Sequence, residues 1–203
     1  MDSTLSVRDI YKFLESQNAL IVHFSGAPPM PSTGNPSQLH YPEDLQNVMN
    51  EGAMGGICRS AVRPGDTFGY GTVHACGCVG VVIGLKGEHS LLGVCTDDLG
   101  TFCDAQGVRQ VPDPKVVTLT DLEWTFSERE SWNEWVVRDY TVLGLFLVKP
   151  YVVWKDSAEL EIEPAVIRST FTGHRYFTFQ GNNIHKFEGE KLLTIHHSEI
   201  YVA

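Results

Sequence analysis

From residue 56 onward the chain is built of short apolar, β-branched runs separated by turn residues, with almost no helical period among them. That pattern forces a sheet, because a strand buries its apolar residues only against neighbouring strands and whatever packs on them. Strands are predicted at 56–62, 79–85, 90–95, 115–120, 134–153 with a break near Pro150, 165–170, 175–180 and 192–202. The first fifty residues read differently. Residues 6–17 form a predicted helix, with Ser6 as cap, Asp9 at the capping-box position and an apolar stripe of Val7, Ile10, Tyr11, Phe13 and Leu14. Residues 19–24 read as a buried strand. A loop rich in glycine and proline follows, and then a second helix at about 42–51, opened by Pro42 and closed by Gly52. The expectation is an α+β fold: a β-dominated core of two packed antiparallel or mixed sheets, with a few short helices near the N-terminus.

The 203 residues suffice for one domain with a sizeable core. With 42% hydrophobic and 20% charged residues the composition is that of a globular protein rather than a disordered one. No linker divides residues 1–203, although 154–203 read as further strands or an annex to a core at 1–153. The longest apolar runs, such as 142–148, are too short to span a bilayer, and no membrane partner is expected. The start, Met1-Asp2-Ser3-Thr4, lacks the basic residues of a secretory signal. Five cysteines without framework spacing read as free thiols of a reducing, cytoplasmic environment. A net charge of -10 argues against long nonspecific nucleic-acid binding.

Chemistry-bearing residues are spread along the chain. His23 ends the first strand and is followed by Phe24, Ser25 and Gly26. Gly55-Gly56-Ile57-Cys58-Arg59-Ser60 leads into the second strand, and Tyr70 lies just beyond it. Asn133-Glu134-Trp135-Val136-Val137 enters a late strand. Leu45-Gln46-Asn47-Val48-Met49-Asn50-Glu51-Gly52 lies between the first two strands.

Taken in order, these segments resemble the ADP-ribosyltransferase superfamily over roughly residues 19–140. In that superfamily a first strand carries His or Arg, and a helix of the Leu-x-x-Ile-x-x-x-Gly kind follows. A second strand carries a small hydroxyl residue, and a late strand brings a glutamate. Asn133–Val137 is similar to the Asn-Glu-Tyr-Ile-Val strand of the poly(ADP-ribose) polymerase branch, and the first block is similar to the opening of DarT-type enzymes. The resemblance implies NAD as substrate and a macromolecular acceptor, a protein or a nucleic-acid end, in the setting of a toxin or effector that is delivered into a host or target cell. It implies Glu134 and His23 as catalytic residues, and His23, Phe24, Ser25, Gly26, Arg59, Ser60 and Tyr70 as the NAD-binding set, with Arg63 an alternative to Arg59 at the pyrophosphate. The chain departs from the pattern in having Phe24 and Ser25 where a Gly-Thr or Gly-Ser pair follows the histidine. It also has Ile57-Cys58-Arg59-Ser60 where the polymerases carry Tyr-Phe-Ala. Glu159, Glu161 and Glu199 are further candidates for the acid.

Three other readings fit the residues. Cys58, with His174, His196 or His197 as base, resembles the order of papain-like and OTU cysteine proteases. His74, Cys76 and Cys78, with Cys95 or Cys103, have a spacing that could hold zinc, although the absence of a second Cys-x-x-Cys pair favours buried thiols and no metal. A binding module without chemistry is the third.

Overall fold

The computed structural model describes residues 5–25, 41–50, 57–69, 77–95, 117–127, 133–156 and 158–201, with the backbone alone at 57–59. Helix α1 spans Val7–Gln17. The Asp9 amide donates to Ser6 Oγ (3.2 Å) and the Ser6 amide to the Asp9 carboxylate (3.3 Å), so the predicted capping box is present. Asn18, in the left-handed conformation at φ 52°, ends the helix and turns the chain into strand β1, Leu20–Phe24. Helix α2 is Glu43–Met49, followed by β2 at Ile57–Val62, β3 at Val79–Leu85 and β4 at Leu91–Cys95. Helix α3, Leu119–Thr125, precedes β5, Glu134–Val137, and β6, Tyr140–Leu147. A hairpin of β7, Val152–Lys155, and β8, Ala158–Glu161, leads to helix α4, Pro164–Thr170. Strands β9, Tyr176–Gln180, β10, Asn183–Glu188, and β11, Lys191–Thr194, complete the sheet.

The fold is α+β and sheet-dominated, as expected. Among the described residues the strands do not divide into two large packed sheets. Nine of them form one sheet in the order β11-β10-β9-β6-β3-β1-β2-β5-β4, and β7-β8 stands as a separate pair. Neighbours are antiparallel except β6 and β9, which run parallel. A parallel pair needs a crossover, and the β7–β8 hairpin with α4 supplies it.

Four segments differ from the sequence expectation. Residues 165–170 are helix α4, because Pro164 at its first turn presets helical φ and outweighs the β-branched Val166, Ile167 and Thr170. The predicted strand 115–120 gives way to α3, whose cap is Thr118 with Asp121 in a capping box. The long strand at 134–153 breaks at Asp139 (φ 53°) as well as near Pro150. Beyond β11 the chain forms a 3-10 turn at His197–Glu199 rather than a strand.

Helices α1 and α3 cover one face of the central strands. The Phe13 and Phe126 rings meet at 5.5 Å, Phe126 and Trp135 at 6.4 Å, and Trp135 Nε1 donates to Thr125 Oγ1. On β4 and β5 the opposite face carries a separate small cluster of Leu92 and Val136 with Cys95 against it. Two glycines permit close strand contact. A Cβ on Gly80 would lie 2.6 Å from the His23 carbonyl oxygen, and one on Gly144 would lie 2.5 Å from the Arg175 carbonyl oxygen at the β6–β9 junction. Among the described residues no helix is long and apolar enough to cross a membrane.

Candidate functional site

The strands that carry the three sequence motifs are far apart in the chain and consecutive in space. β1 pairs with β2, β2 with β5, and β5 with β4. Register then decides which side chains meet. Val22 lies opposite Ser60. Arg59 lies opposite Trp135, so one step further along the same ladder brings Ser60 beside Glu134. Glu134 lies opposite Cys95. Cross-strand partners project to one face, so Val22, Ser60, Glu134 and Cys95 form a row. This is the face away from α1 and α3, because Trp135, the next residue, packs on α3.

Glu134 is 1% exposed and Ser60 is 2% exposed. A carboxyl held in the interior acts on its surroundings through a low dielectric, which makes it a candidate for chemistry. The residue before it is held unusually. Asn133 Oδ1 accepts from the Ala61 amide and Asn133 Nδ2 donates to the Ala61 carbonyl, both at 2.8 Å.

His23 is half-buried, one residue past Val22 and opposite Val81. Alternation along β1 sends its side chain to the face opposite Val22, and so opposite Glu134. Phe24 returns to Val22's face and meets the rings of Phe68 and Phe146 at 5.9 and 6.0 Å. Ser25 is fully buried; its amide donates to the Val79 carbonyl at 2.8 Å, and its hydroxyl has no hydrogen-bond partner among the described residues. Arg59 lies on β2 opposite Trp135. Gly26 and Tyr70 lie outside the described residues.

Arg63 is engaged in the scaffold. It donates to Gln17 Oε1 and to the Phe126 carbonyl, and its guanidinium lies 4.9 Å over the Phe126 ring. That placement ties β2 to α1 and α3. The alternative acids are differently placed. Glu159 and Glu161 are exposed on β8, outside the main sheet. Glu199 is exposed, and its carboxylate accepts the His196 amide at 2.7 Å as a cap. Of the four candidate acids, Glu134 alone is both buried and next to β2.

The protease arrangement is separated in space. His197 is 5% exposed, its Nε2 lies 3.0 Å from the Ala19 carbonyl oxygen, and its ring stacks on Tyr201 at 4.6 Å. Burial, outweighing the Ala19 carbonyl and Glu15, pushes its pKa below the ordinary histidine value. Ala19 lies three residues before Val22, and Cys58 two before Ser60 on the antiparallel neighbour. About five residue rises, roughly 16 Å, therefore separate them along the sheet. His174 and His196 are exposed. No three His, Cys, Asp or Glu side chains cluster among the described residues. Cys78 is buried, which raises its thiol pKa, and His74, Cys76 and Cys103 lie outside the described residues.

Sequence reasoning missed two polar features. Asn133 was visible only as part of a motif, since its role depends on strand register. The other lies at the start of β1. There the Ile21 amide donates to Tyr201 Oη (2.9 Å) and the Leu85 amide to Tyr11 Oη (2.7 Å), and the two phenol rings meet at 4.7 Å. Compared with family models, curated proteins and solved structures, the chain matches none.

Proposed function

We propose that this chain is an NAD-dependent ADP-ribosyltransferase-like enzyme that transfers ADP-ribose to a macromolecular acceptor, with Glu134 as its catalytic acid. The observation that carries the reading is the buried Glu134–Ser60 pair on adjacent strands, reached by the His, hydroxyl and glutamate strands lying side by side.

The chemistry asks for such a pair. The bond between nicotinamide and ribose breaks with its electrons leaving on nicotinamide, and positive charge develops on the ribose. A carboxylate beside that ribose stabilises the charge, most strongly where water is excluded. It also takes the proton of the attacking acceptor group. Ser60 braces the carboxyl from β2. Phe24, Ser25 and Gly26 are assigned to the nicotinamide end; Arg59, whose ladder partner is Trp135 rather than Glu134, has its pyrophosphate role tested by Arg59→Ala. His23 enters as the residue at the exit of β1. Because it faces away from Glu134, His23→Ala tests whether that exit belongs to the site at all. The net charge of -10 favours a protein or a nucleic-acid end over a long phosphate backbone as acceptor. Free thiols and NAD consumption suit a cytoplasmic location, in the producing cell or in a target cell.

The test is incubation of the whole chain with adenylate-labelled NAD and cell extract. Label should appear on a macromolecule and nicotinamide should be released. Glu134→Gln should lower turnover by about 10²–10³-fold while keeping the native near-UV spectrum. If NAD neither binds nor turns over, the reading fails. A folded protein that binds NAD without turnover would instead be a binding module.

A further inference from the structure

We infer that Asn133 is the positioning residue for Glu134: its side-chain amide, docked on Ala61 in place of main chain, sets where the Glu134 carboxyl sits beside Ser60. The inference rests on the transferase reading for its catalytic readout only.

The geometry is that of a side chain standing in for a peptide group. Extended two steps past Arg59–Trp135, the β2–β5 register puts residue 133 opposite Ala61. In a regular antiparallel pair the backbone N–H and C=O at that position would exchange two hydrogen bonds with Ala61. Here the Asn133 carboxamide makes both, at 2.8 Å each. A carboxamide has the same planar donor and acceptor as a peptide, so the ladder stays satisfied. The main chain at 133, however, stands off from β2 by the length of that side chain. β5 thus opens away from β2 immediately before Glu134, and the opening is held at a fixed width by two buried bonds.

Only asparagine meets every requirement. Aspartate in its ionised form keeps the acceptor and loses the donor. Glutamine is one methylene too long for a site in which Asn133 is 5% exposed. Alanine leaves both Ala61 groups unsatisfied and lets β5 close on β2 or drift from it. A displacement of the carboxyl by a fraction of an ångström to one ångström is enough to lower a rate about 10²-fold without weakening ground-state binding.

The experiment compares wild type, Asn133→Ala and Asn133→Asp in the full chain. In Asn133→Ala, kcat for NAD consumption should fall by about tenfold or more while KM for NAD moves less than about threefold. The Ala61 amide should exchange with solvent faster. Asn133→Asp should recover turnover relative to its own neutral-pH value as pH is lowered, because a protonated carboxyl again offers a donor and an acceptor, and Asn133→Ala should not. Wild-type kcat in Asn133→Ala, with the Ala61 amide deprotected, would overturn the inference: the amide would then hold a strand without placing the acid. If Asn133→Ala does not fold, the pH recovery of Asn133→Asp decides. If wild type consumes no NAD, the transferase reading fails separately. The positioning claim is then judged by carbon NMR of the Glu134 carboxyl, assigned by its loss in Glu134→Gln. Its titration midpoint should move between wild type and the uncharged Asn133→Ala, or Asn133→Gln where alanine does not fold, and an unmoved midpoint overturns the claim.

Discussion

Two places in the central sheet complete a β-ladder with side chains, and they are built for different ends. At the start of β1, two phenols take up backbone groups of Ile21 and Leu85; their rings meet at a tilt, and the Tyr201 ring stacks on His197. At the start of β5, one carboxamide takes up both groups of Ala61 beside a buried carboxyl. The phenol end holds neutral groups in apolar surroundings: burial pushes the Tyr201 pKa far up and the His197 pKa down, so both resist charge. Such an end fastens the scaffold. The carboxamide end places an ionisable acid next to a hydroxyl in the interior, where a charge acts strongly. The difference teaches that backbone substitution by a side chain is not itself a sign of function. What distinguishes the β5 end is the group that the substitution presents.

Breaking the phenol end should produce the largest change in stability. Tyr201→Ala removes a buried ring packed on Tyr11 and His197, and should cost about 3–5 kcal/mol in urea unfolding. Tyr201→Phe keeps the ring and orphans the Ile21 amide, with an expected loss of about 1–3 kcal/mol. Measured well below its unfolding temperature, Tyr201→Phe should leave NAD turnover at the wild-type rate. A large loss of turnover there would erase the contrast between the two ends.

His197 sharpens the comparison through pH. Its folded pKa lies below the unfolded value of 6.5. Below that pH the unfolded chain takes up a proton that native His197 refuses, so its contribution to stability is complete above the unfolded pKa. It is lost as pH falls from there through the folded pKa. His197→Phe should therefore reduce the drop in stability between about pH 7.5 and pH 5.5. An equal drop in the variant would show that the phenol end does not exclude charge. The smallest effect belongs to the Arg168–Glu190 pair at 2.8 Å, whose glutamate is almost fully exposed. Glu190→Ala should change stability by less than about 1 kcal/mol and turnover not at all.

How legible these features were depended on how local they are. Helix α1 announced itself through Ser6, Asp9 and the Ile10, Tyr11, Phe13, Leu14 stripe, all within two turns. Helix α3 carried its own signal, Thr118-x-x-Asp121, which the preceding Val116-Val117 obscured. Helix α4 was misread because Val166, Ile167 and Thr170 favour strands by intrinsic propensity, and only Pro164 pointed the other way. Residues 195–201 alternate like a strand, yet Glu199 caps a turn there and the crossover from β11 back to β1 decides their shape. The order β1-β2-β5 could not be read, since no local pattern states which distant strands pair. Once the register is known, it separates what the motif order had grouped: Ser60 and Glu134 share a face, while His23 points to the other.

The bond from the Ile21 amide to the Tyr201 phenol spans 180 positions of the chain. Synthesis proceeds from the N-terminus at about 5–20 residues per second, so β1 leaves the ribosome roughly ten to forty seconds before its partner exists. Through that interval the Ile21 amide, on a strand that β2 and β3 already flank, lacks its acceptor. This contact can be locked only after translation has passed Tyr201, which makes that phenol the timekeeper for the start of β1.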